Sequence, residues 1–157
     1  MVVTSLDIPY KDDLLNVGRK RNIRNVDKDC YNCGGYALET FSWYIPSDRG
    51  RGWSASNSPR AVMYRTNKAR KKMLADFPDM REIRKLDELA PNEYAIAFRV
   101  SSDGDFHFVK RAKNNHWYHK RGRSWEIDQM SQAEVFAGNW CGRYDGPLVL
   151  FAKKMVA

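Results

Sequence analysis

Cysteine is scarce in this sequence of 157 residues. The chain has only three cysteines, an odd number that does not pair completely. This odd count argues against a framework of disulfides as the main source of stability. The remaining uses of a thiol are metal ligation, burial in a core, or service as a reactive nucleophile. The three residues to which this choice applies are Cys30, Cys33 and Cys141.

Long apolar runs are missing too. No segment approaches the roughly 20 apolar residues that a membrane-spanning helix requires. The first residues, Met1 to Tyr10, contain Asp7 and do not show the basic-then-apolar order of a secretory signal. We therefore expect no transmembrane segment and a cytoplasmic protein by default, with release by lysis or by a specialised secretion route as the alternative.

Internal repeats and low-complexity tracts are also absent. Hydrophobic residues make up 43% of the chain and aromatic residues 13%, so we expect a folded protein with a substantial core. The length fits a single domain over residues 1–157. Its first part, residues 1–29, is polar and contains the basic cluster Arg19-Lys20-Arg21, and we expect it to wrap the domain rather than form its core.

Acidic residues are outnumbered by basic ones, 19 against 27, which gives a formal charge of +8. One interpretation is a solvated basic surface. The other is contact with a polyanion, such as nucleic acid, an anionic membrane or an anionic bacterial wall. No recognised nucleic-acid motif accompanies the charge, so the composition leaves this choice open, and the oligomeric state with it.

The first half of the sequence has the apolar spacing of helices. Residues 33–41 carry an apolar face at spacings of three and four, and Pro46 ends this predicted helix. A polar loop over 47–58 follows. Ser58-Pro59, an N-cap and a first-turn proline, then starts a second helix that runs to about Phe77. We expect its buried stripe to comprise Val62, Ala69, Met73 and Phe77, and its solvated side Arg65, Lys68, Lys71 and Lys72.

The second half changes to the period of two that is typical of strands. Residues 93–100 alternate, with Tyr94, Ile96, Phe98 and Val100 on one side. Further predicted elements are strands over 106–111, 116–120 and 147–153 and a short helix over 131–136. Helices followed by an antiparallel sheet indicate the α+β class.

Cys33 is placed where a thiol can serve as a nucleophile. It lies at the start of the first predicted helix, where free backbone amides and the helix dipole favour a thiolate. Gly34 and Gly35 follow it directly and leave room for a substrate to approach the backbone. Their amides, with that of Cys33 itself, are candidates for holding the oxyanion that forms during acyl transfer.

A thiol nucleophile needs a base, and the chain has three histidines. His107 lies in the middle of a predicted strand, on the same face as Val109. His119 follows twelve positions later, on the returning strand, where a cross-strand neighbour can orient the imidazole of His107. The register of the turn is not fixed by the sequence, so His116 and Asn115 compete with His119 for this third position.

These residues lead to a resemblance. The run Asn32-Cys33-Gly34-Gly35-Tyr36 resembles the nucleophile motif of the NlpC-type papain-like cysteine peptidases, usually Asp-Cys-Ser-Gly followed by an aromatic or aliphatic residue. In that family a histidine on a strand follows, and a third polar residue, often histidine, comes on the next strand. The segment from His107 to His119 has this order, and the similarity covers roughly residues 32–122. Asn32 and Gly34 depart from the usual Asp and Ser.

The resemblance implies a papain-like fold, in which N-terminal helices pack on a C-terminal antiparallel sheet. It also implies a cysteine hydrolase that cleaves an amide or isopeptide bond through a thioester, commonly in the stem peptides of peptidoglycan. In this chain Cys33 would be the nucleophile, His107 the base and His119 the residue that orients it. A peptide or peptidoglycan-like substrate is the expected partner, and neither a metal nor an organic cofactor is expected.

Other interpretations compete with this one. Cys30 and Cys33 form a CxxC pair that could bind zinc with Cys141, but a structural zinc site usually shows a second pair. Tyr31 is a candidate for the oxyanion site and Trp53 for the wall of a cleft, and both residue types are also ordinary packing residues. The rival function is a non-catalytic basic binding protein on the same fold, acting on nucleic acid or on a host protein.

Overall fold

The computed structural model describes residues 31–47, 53, 58–121 and 127–155. The expected wrapping segment over 1–29 and Cys30 lie outside this part, as does most of the loop over 47–58. The described helices are α1 (Cys33–Ala37), α2 (Pro59–Asp76), α3 (Gln132–Val135) and one 3-10 turn, Leu86–Glu88. The described strands are β1 (Met80–Ile83), β2 (Glu93–Val100), β3 (Phe106–Arg111), β4 (Trp117–Lys120), β5 (Ile127–Met130) and β6 (Val149–Lys154). Helices with an antiparallel sheet confirm the α+β class.

The long helix α2 begins where the sequence predicts it. The hydroxyl of Ser58 accepts a hydrogen bond from the amide of Ala61 at 3.3 Å, which confirms Ser58 as the N-cap. Ala69 and Met73 are buried against the sheet as expected. Arg65 is buried as well, which corrects its assignment to the solvated side. Its guanidinium donates to the carbonyl oxygen of Ser101 at 3.2 Å, since a long side chain can carry its charge to a buried acceptor.

Helix α1 is shorter than predicted, because it ends at Ala37 rather than near Phe41. Glu39 and Phe41 adopt positive φ angles of 60° and 52°. The amides of Thr40 and Phe41 both donate to the carbonyl oxygen of Gly35, at 3.2 and 3.1 Å. The chain thus turns back over α1 well before Pro46 is reached.

The sheet has the strand order β1-β6-β2-β3-β4-β5, and every described pair is antiparallel. One side, here called the helix face, carries Ile96, Phe98 and Phe108 and packs against α1 and α2. The opposite side, here called the distal face, carries Ala97, Val109 and Trp117 and packs against Val135 of α3 and against Trp140. The predicted alternation along β2 and β3 is confirmed.

Two strands, β1 and β5, are not predicted from the sequence. They form the two edges of the described sheet. In each strand only the first and last residues are buried, so the alternation that identifies a strand is missing. Strand β5 matters for the site described below, because it pairs with β4.

Candidate active site

Two buried histidines meet on the distal face, beyond the paired part of β3 and β4. The Nε2 atom of His107 lies 2.7 Å from the Nδ1 atom of His119. The two side chains are 6% and 4% exposed, and their rings meet at 87°. The ladder pairs Lys110 with Tyr118, and the same register continued along β3 and β4 makes His119 the diagonal neighbour of His107.

The competing candidates for the third position lie elsewhere. The Nδ1 atom of His116 is hydrogen-bonded to the side-chain amide of Gln129 at 2.8 Å. Asn115 occupies the turn itself, with a φ of 69°. The structure therefore brings His119, and neither of these residues, to the imidazole of His107.

Burial governs the charge of the histidine pair. Loss of solvent lowers the pKa of His107 to about 3, and the neighbouring His119, Arg121 and Arg143 act in the same direction. Burial also lowers the pKa of His119, against the opposing effect of the Asp128 carboxylate across β4 and β5. Both rings are consequently neutral near pH 7, and the burial that keeps His107 neutral also makes it a weaker base than a free imidazole.

This neutral pair predicts acid sensitivity. An imidazole in the unfolded chain takes up a proton near pH 6.5, whereas folded His107 resists protonation until about pH 3. Stability from this group is therefore fully present above pH 6.5 and is lost as the pH falls toward 3. At about pH 5 we expect His107 alone to lower the free energy of unfolding by about 2 kcal/mol.

The measurement is urea unfolding at about pH 8 and about pH 5 for the wild type and for His107→Gln. Glutamine keeps a polar group toward His119 but does not titrate. The stability lost on acidification should shrink by about 2 kcal/mol in the variant. An equal loss in both proteins would show that folded His107 is protonated as readily as an ordinary histidine.

Cys33 is the first residue of α1, and Asn32 fixes its place. The Oδ1 atom of Asn32 accepts hydrogen bonds from the amides of Gly35 and Tyr44, both at 3.1 Å. Its Nδ2 atom donates to the carbonyl oxygen of Tyr44 at 2.8 Å. An aspartate, usual in the similar motif, could not make this last bond because a carboxylate has no donor. Asn32 therefore joins the start of α1 to the segment around Tyr44.

The Cys33 thiol is 4% exposed, and burial raises its pKa to about 12. The backbone amides of Phe108 and Gly34 favour the thiolate, as does the Lys120 ammonium, while the Asp105 carboxylate opposes it. The expected preference of a helix start for a thiolate is therefore outweighed by burial. Near pH 7 the resting group is a neutral thiol.

The Cys33 sulfur meets β3 at the residue that follows His107. That residue is Phe108, whose amide meets the sulfur. The ring of Tyr144 stacks on that of His107, with centroids 5.0 Å apart and planes at 23°. Among the described residues no direct hydrogen bond joins Cys33 to His107. Transfer of the thiol proton to His107 would require the two groups to move closer, as catalytic pairs often do when substrate binds.

A cavity of about 420 Å³ opens on the histidine pair. Seven described residues line it: Asp105, His107, His119, Arg121, Cys141, Arg143 and Tyr144. The Tyr144 hydroxyl donates to Asp105 at 3.3 Å, and Arg143 contacts the same carboxylate at 3.0 Å. These charged groups shape the rim, so a ligand in the cavity would meet both signs of charge beside the imidazoles.

The glycines after Cys33 serve the packing of the chain itself. A Cβ on Gly35 would overlap the carbonyl oxygen of Ser42, and one on Gly34 would lie 3.2 Å from the Phe108 ring. The space beside both glycines, which was expected to admit a substrate, is therefore occupied by other parts of the chain. The Gly35 amide also bonds to Asn32, which removes it from the oxyanion candidates, whereas the Gly34 amide points at the sulfur.

Tyr31 and Trp53 lie in packed surroundings. Tyr31 is buried edge-on against Phe41, with ring centroids 5.5 Å apart. Trp53 lies edge-on to Phe106 at 6.4 Å, and its amide donates to Gly104 at 3.2 Å. Neither residue lines the cavity at the histidine pair. Their expected roles at the site stay predictions.

Metal ligation finds no support in the described ranges 31–47, 53, 58–121 and 127–155. No group of three or more His, Cys, Asp or Glu side chains there is arranged to hold an ion. Cys141 is exposed at the cavity rim and Cys33 is buried. The CxxC interpretation also needs Cys30, which lies outside the described residues.

Sequence reasoning misses the residues that hold the cavity wall in place. The buried guanidinium of Arg99 on β2 donates to the carbonyl oxygens of Gly138 and Gly146, at 3.0 and 2.7 Å, and to that of Ala137. It thereby ties the segment that carries Tyr144 to the sheet. A charged residue inside an apolar strand was the available signal, because such a residue needs buried partners.

Comparison with known proteins gives no relative: no family model, no curated protein and no solved structure matches the chain. Of the described helices, none combines the length and apolar character needed to cross a membrane.

Proposed function

We propose that this protein is a papain-like cysteine hydrolase that cleaves an amide or isopeptide bond, with peptidoglycan stem peptides as the first substrate class to test. The observation that carries the proposal is the buried hydrogen bond between His107 and His119. His107 lies on β3 next to Phe108, whose amide meets the Cys33 sulfur. Under this proposal the nucleophile meets β3 at the residue after the base, and the orienting group is bonded to the base.

The proposed reaction starts from a neutral thiol and a neutral imidazole. Since Nε2 of His107 is engaged by His119, Nδ1 accepts the thiol proton as the sulfur attacks the carbonyl carbon. The same proton then passes to the leaving amine, the C–N bond breaks, and a thioester forms on Cys33. Water activated by His107 hydrolyses the thioester, which releases a carboxylic acid and restores the thiol.

His119 holds the reacting tautomer of His107. With Nε2–H of His107 donating to Nδ1 of His119, the lone pair of His107 is left on Nδ1. When His107 gains a proton, the Asp128 carboxylate beside His119 favours the added charge. The Gly34 amide, which points at the sulfur, is the available backbone donor for the developing oxyanion.

A second candidate is favoured by one observation, the burial of Cys33 that raises its pKa to about 12. An inert thiol on a chain of charge +8 would fit a non-catalytic basic protein that binds a polyanion. Such binding would weaken steeply with salt and would not depend on Cys33.

The test is incubation of wild type and Cys33→Ala with purified peptidoglycan and with peptide libraries, read by mass spectrometry. We expect cleavage products and a thioester adduct on Cys33 in the wild type, and neither in the variant. His116→Asn, which changes a histidine outside the pair, should cleave like the wild type. Products that persist in Cys33→Ala, or salt-dependent polyanion binding with no cleavage, would reject the hydrolase.

A further inference from the structure

The side of α2 that faces away from the sheet carries positive charge along its length. The helix contains six basic residues and one acidic residue, Asp76, in a chain whose formal charge is +8. Exposed residues recur along it at spacings of three and four, so they share one face. We call this face the outer stripe, and its members are Arg60, Met63, Tyr64, Asn67, Lys68 and Lys71.

The cations of the outer stripe are not neutralised by neighbouring carboxylates. The acidic groups near α2 pair instead with basic residues beside the stripe. Asp76 pairs with Lys72 at 3.0 Å, and Glu82 pairs with Arg70 at 2.5 Å. Within the part of the chain that the structure describes, no carboxylate forms an ion pair with a basic side chain of the stripe. Their charge is therefore available to an anionic partner.

The ring of Tyr64 lies open among these charges. Tyr64 is 60% exposed, and Met63 beside it is 47% exposed. The Lys68 ammonium lies 5.7 Å from the centroid of the Tyr64 ring. An open aromatic ring flanked by positive charge is the arrangement on which proteins stack the bases of a nucleic acid strand.

Helix α2 holds these groups at fixed distances. The Ser58 hydroxyl caps its first turn, and Met73 anchors its opposite side in the core. With a rise of about 1.5 Å per residue, the Cα atoms of Arg60 and Lys71 are about 16 Å apart, and Tyr64 lies between them. Positive charge therefore lies on both sides of the ring along the helix, where successive phosphates of one strand can meet it.

The apolar side of α2 argues against a lipid surface as the partner. A helix that lies on a membrane inserts its apolar face among the lipids. In α2 that face is occupied, because Val62, Ala69 and Met73 pack in the core against the sheet. A nucleic acid duplex is also disfavoured, since its bases are stacked on one another and leave no open face for the Tyr64 ring.

We propose that the outer stripe of α2 binds single-stranded nucleic acid, with a base stacked on Tyr64 and phosphates held by the basic side chains around it. This inference goes beyond the proposed hydrolysis and does not depend on it, because the stripe shares no residue with the cavity at the histidine pair. The phosphate contacts weaken with salt, whereas stacking adds affinity that depends little on salt.

The experiment measures binding of labelled oligo(dT) of about 20 nucleotides by fluorescence anisotropy over a series of salt concentrations. The variant Lys68→Gln/Lys71→Gln removes two phosphate contacts, so the slope of log K against log salt should become about 1.4 less negative. Its affinity at about 0.1 M salt should fall by about 25-fold. The matched control is Arg84→Gln/Lys85→Gln, which removes two exposed charges outside the stripe and should bind close to wild type.

Two variants of Tyr64 test the stacked base. Tyr64→Ala should weaken binding by about tenfold or more at each salt concentration with an unchanged slope, because it removes the ring and no charge. Tyr64→Phe keeps a ring and should bind like the wild type. On a duplex of the same length, whose bases are already stacked, Tyr64→Ala should lose nothing.

Three results would overturn the inference: equal weakening in the Arg84 and Lys85 control, unchanged binding by Tyr64→Ala, or tighter binding to phosphatidylglycerol vesicles than to the oligonucleotide. The exchanged side chains are all exposed, and circular dichroism of each variant separates lost binding from unfolding. Absence of hydrolysis with these contrasts intact would reject the proposed function alone. Absence of binding with hydrolysis intact would reject this inference alone.

Discussion

We expect His107→Gln to lower the rate of amide hydrolysis by roughly 10²–10⁴-fold, the range typical for loss of a general base. In the proposed mechanism Nδ1 takes the thiol proton, because Nε2 is bonded to His119 at 2.7 Å. A glutamine cannot accept and return that proton. The measurement is the steady-state cleavage rate on whichever substrate the mass spectrometry identifies, with kcat and KM determined separately.

The loss should fall on kcat, because the imidazole acts on the reacting atoms and not on remote parts of the substrate. His116→Asn is the matched control, since His116 bonds to Gln129 outside the histidine pair. Retention of the wild-type kcat in His107→Gln would remove the base from the mechanism. A change confined to KM would assign His107 to substrate binding instead.

The second large effect concerns Gly35. A Cβ at this position would overlap the carbonyl oxygen of Ser42, and it would lie 3.0 Å from the Tyr31 Cβ. The main obstacle is backbone, which cannot rotate away as a side chain can. We therefore expect Gly35→Ala to lower the free energy of unfolding by about 3 kcal/mol or more. Chemical denaturation followed by circular dichroism measures this change.

Gly138→Ala is the control for the glycine prediction. A Cβ on Gly138 meets nothing within 4 Å, so its stability should stay within about 0.5 kcal/mol of wild type. Equal stability of the two variants would mean that the segment around Ser42 moves aside at little cost. In that event the contact between Gly35 of α1 and Ser42 would not hold Cys33 in place.

Local rules predict much of this fold from sequence. Ser58 and Pro59 predict the start of α2, and the alternation of side chains predicts β2 and β3. Both signals come from interactions between residues close in sequence. Helix α1 is overpredicted because its apolar spacing continues to Phe41, while the tertiary contact of Ser42 with Gly35 decides where it ends. The edge strands β1 and β5 are not predicted from the sequence, because their middle residues face away from the core.

The candidate site divides in the same way. The distance of twelve positions between His107 and His119 suggested a cross-strand pair, and the register along β3 and β4 decides which residue lies beside His107. Tyr144 gives no sequence signal, because it reaches the imidazole from a separate segment held by Arg99. For Lys120 the sequence indicates only a lysine on a strand. Its hydrogen bond to the carbonyl oxygen of Tyr31 depends on where the segment before α1 lies over the sheet.

The strand order sets how the sheet assembles. Strand β6 follows every other described strand in the chain, yet it lies between β1 and β2. Hairpins between sequence neighbours join β2 through β5 and form early, whereas insertion of β6 closes a long span and is intrinsically slow. Strand β1 pairs with β6 and must wait for it. The hairpin with both imidazoles can thus take shape while the opposite edge of the nascent sheet is still unformed.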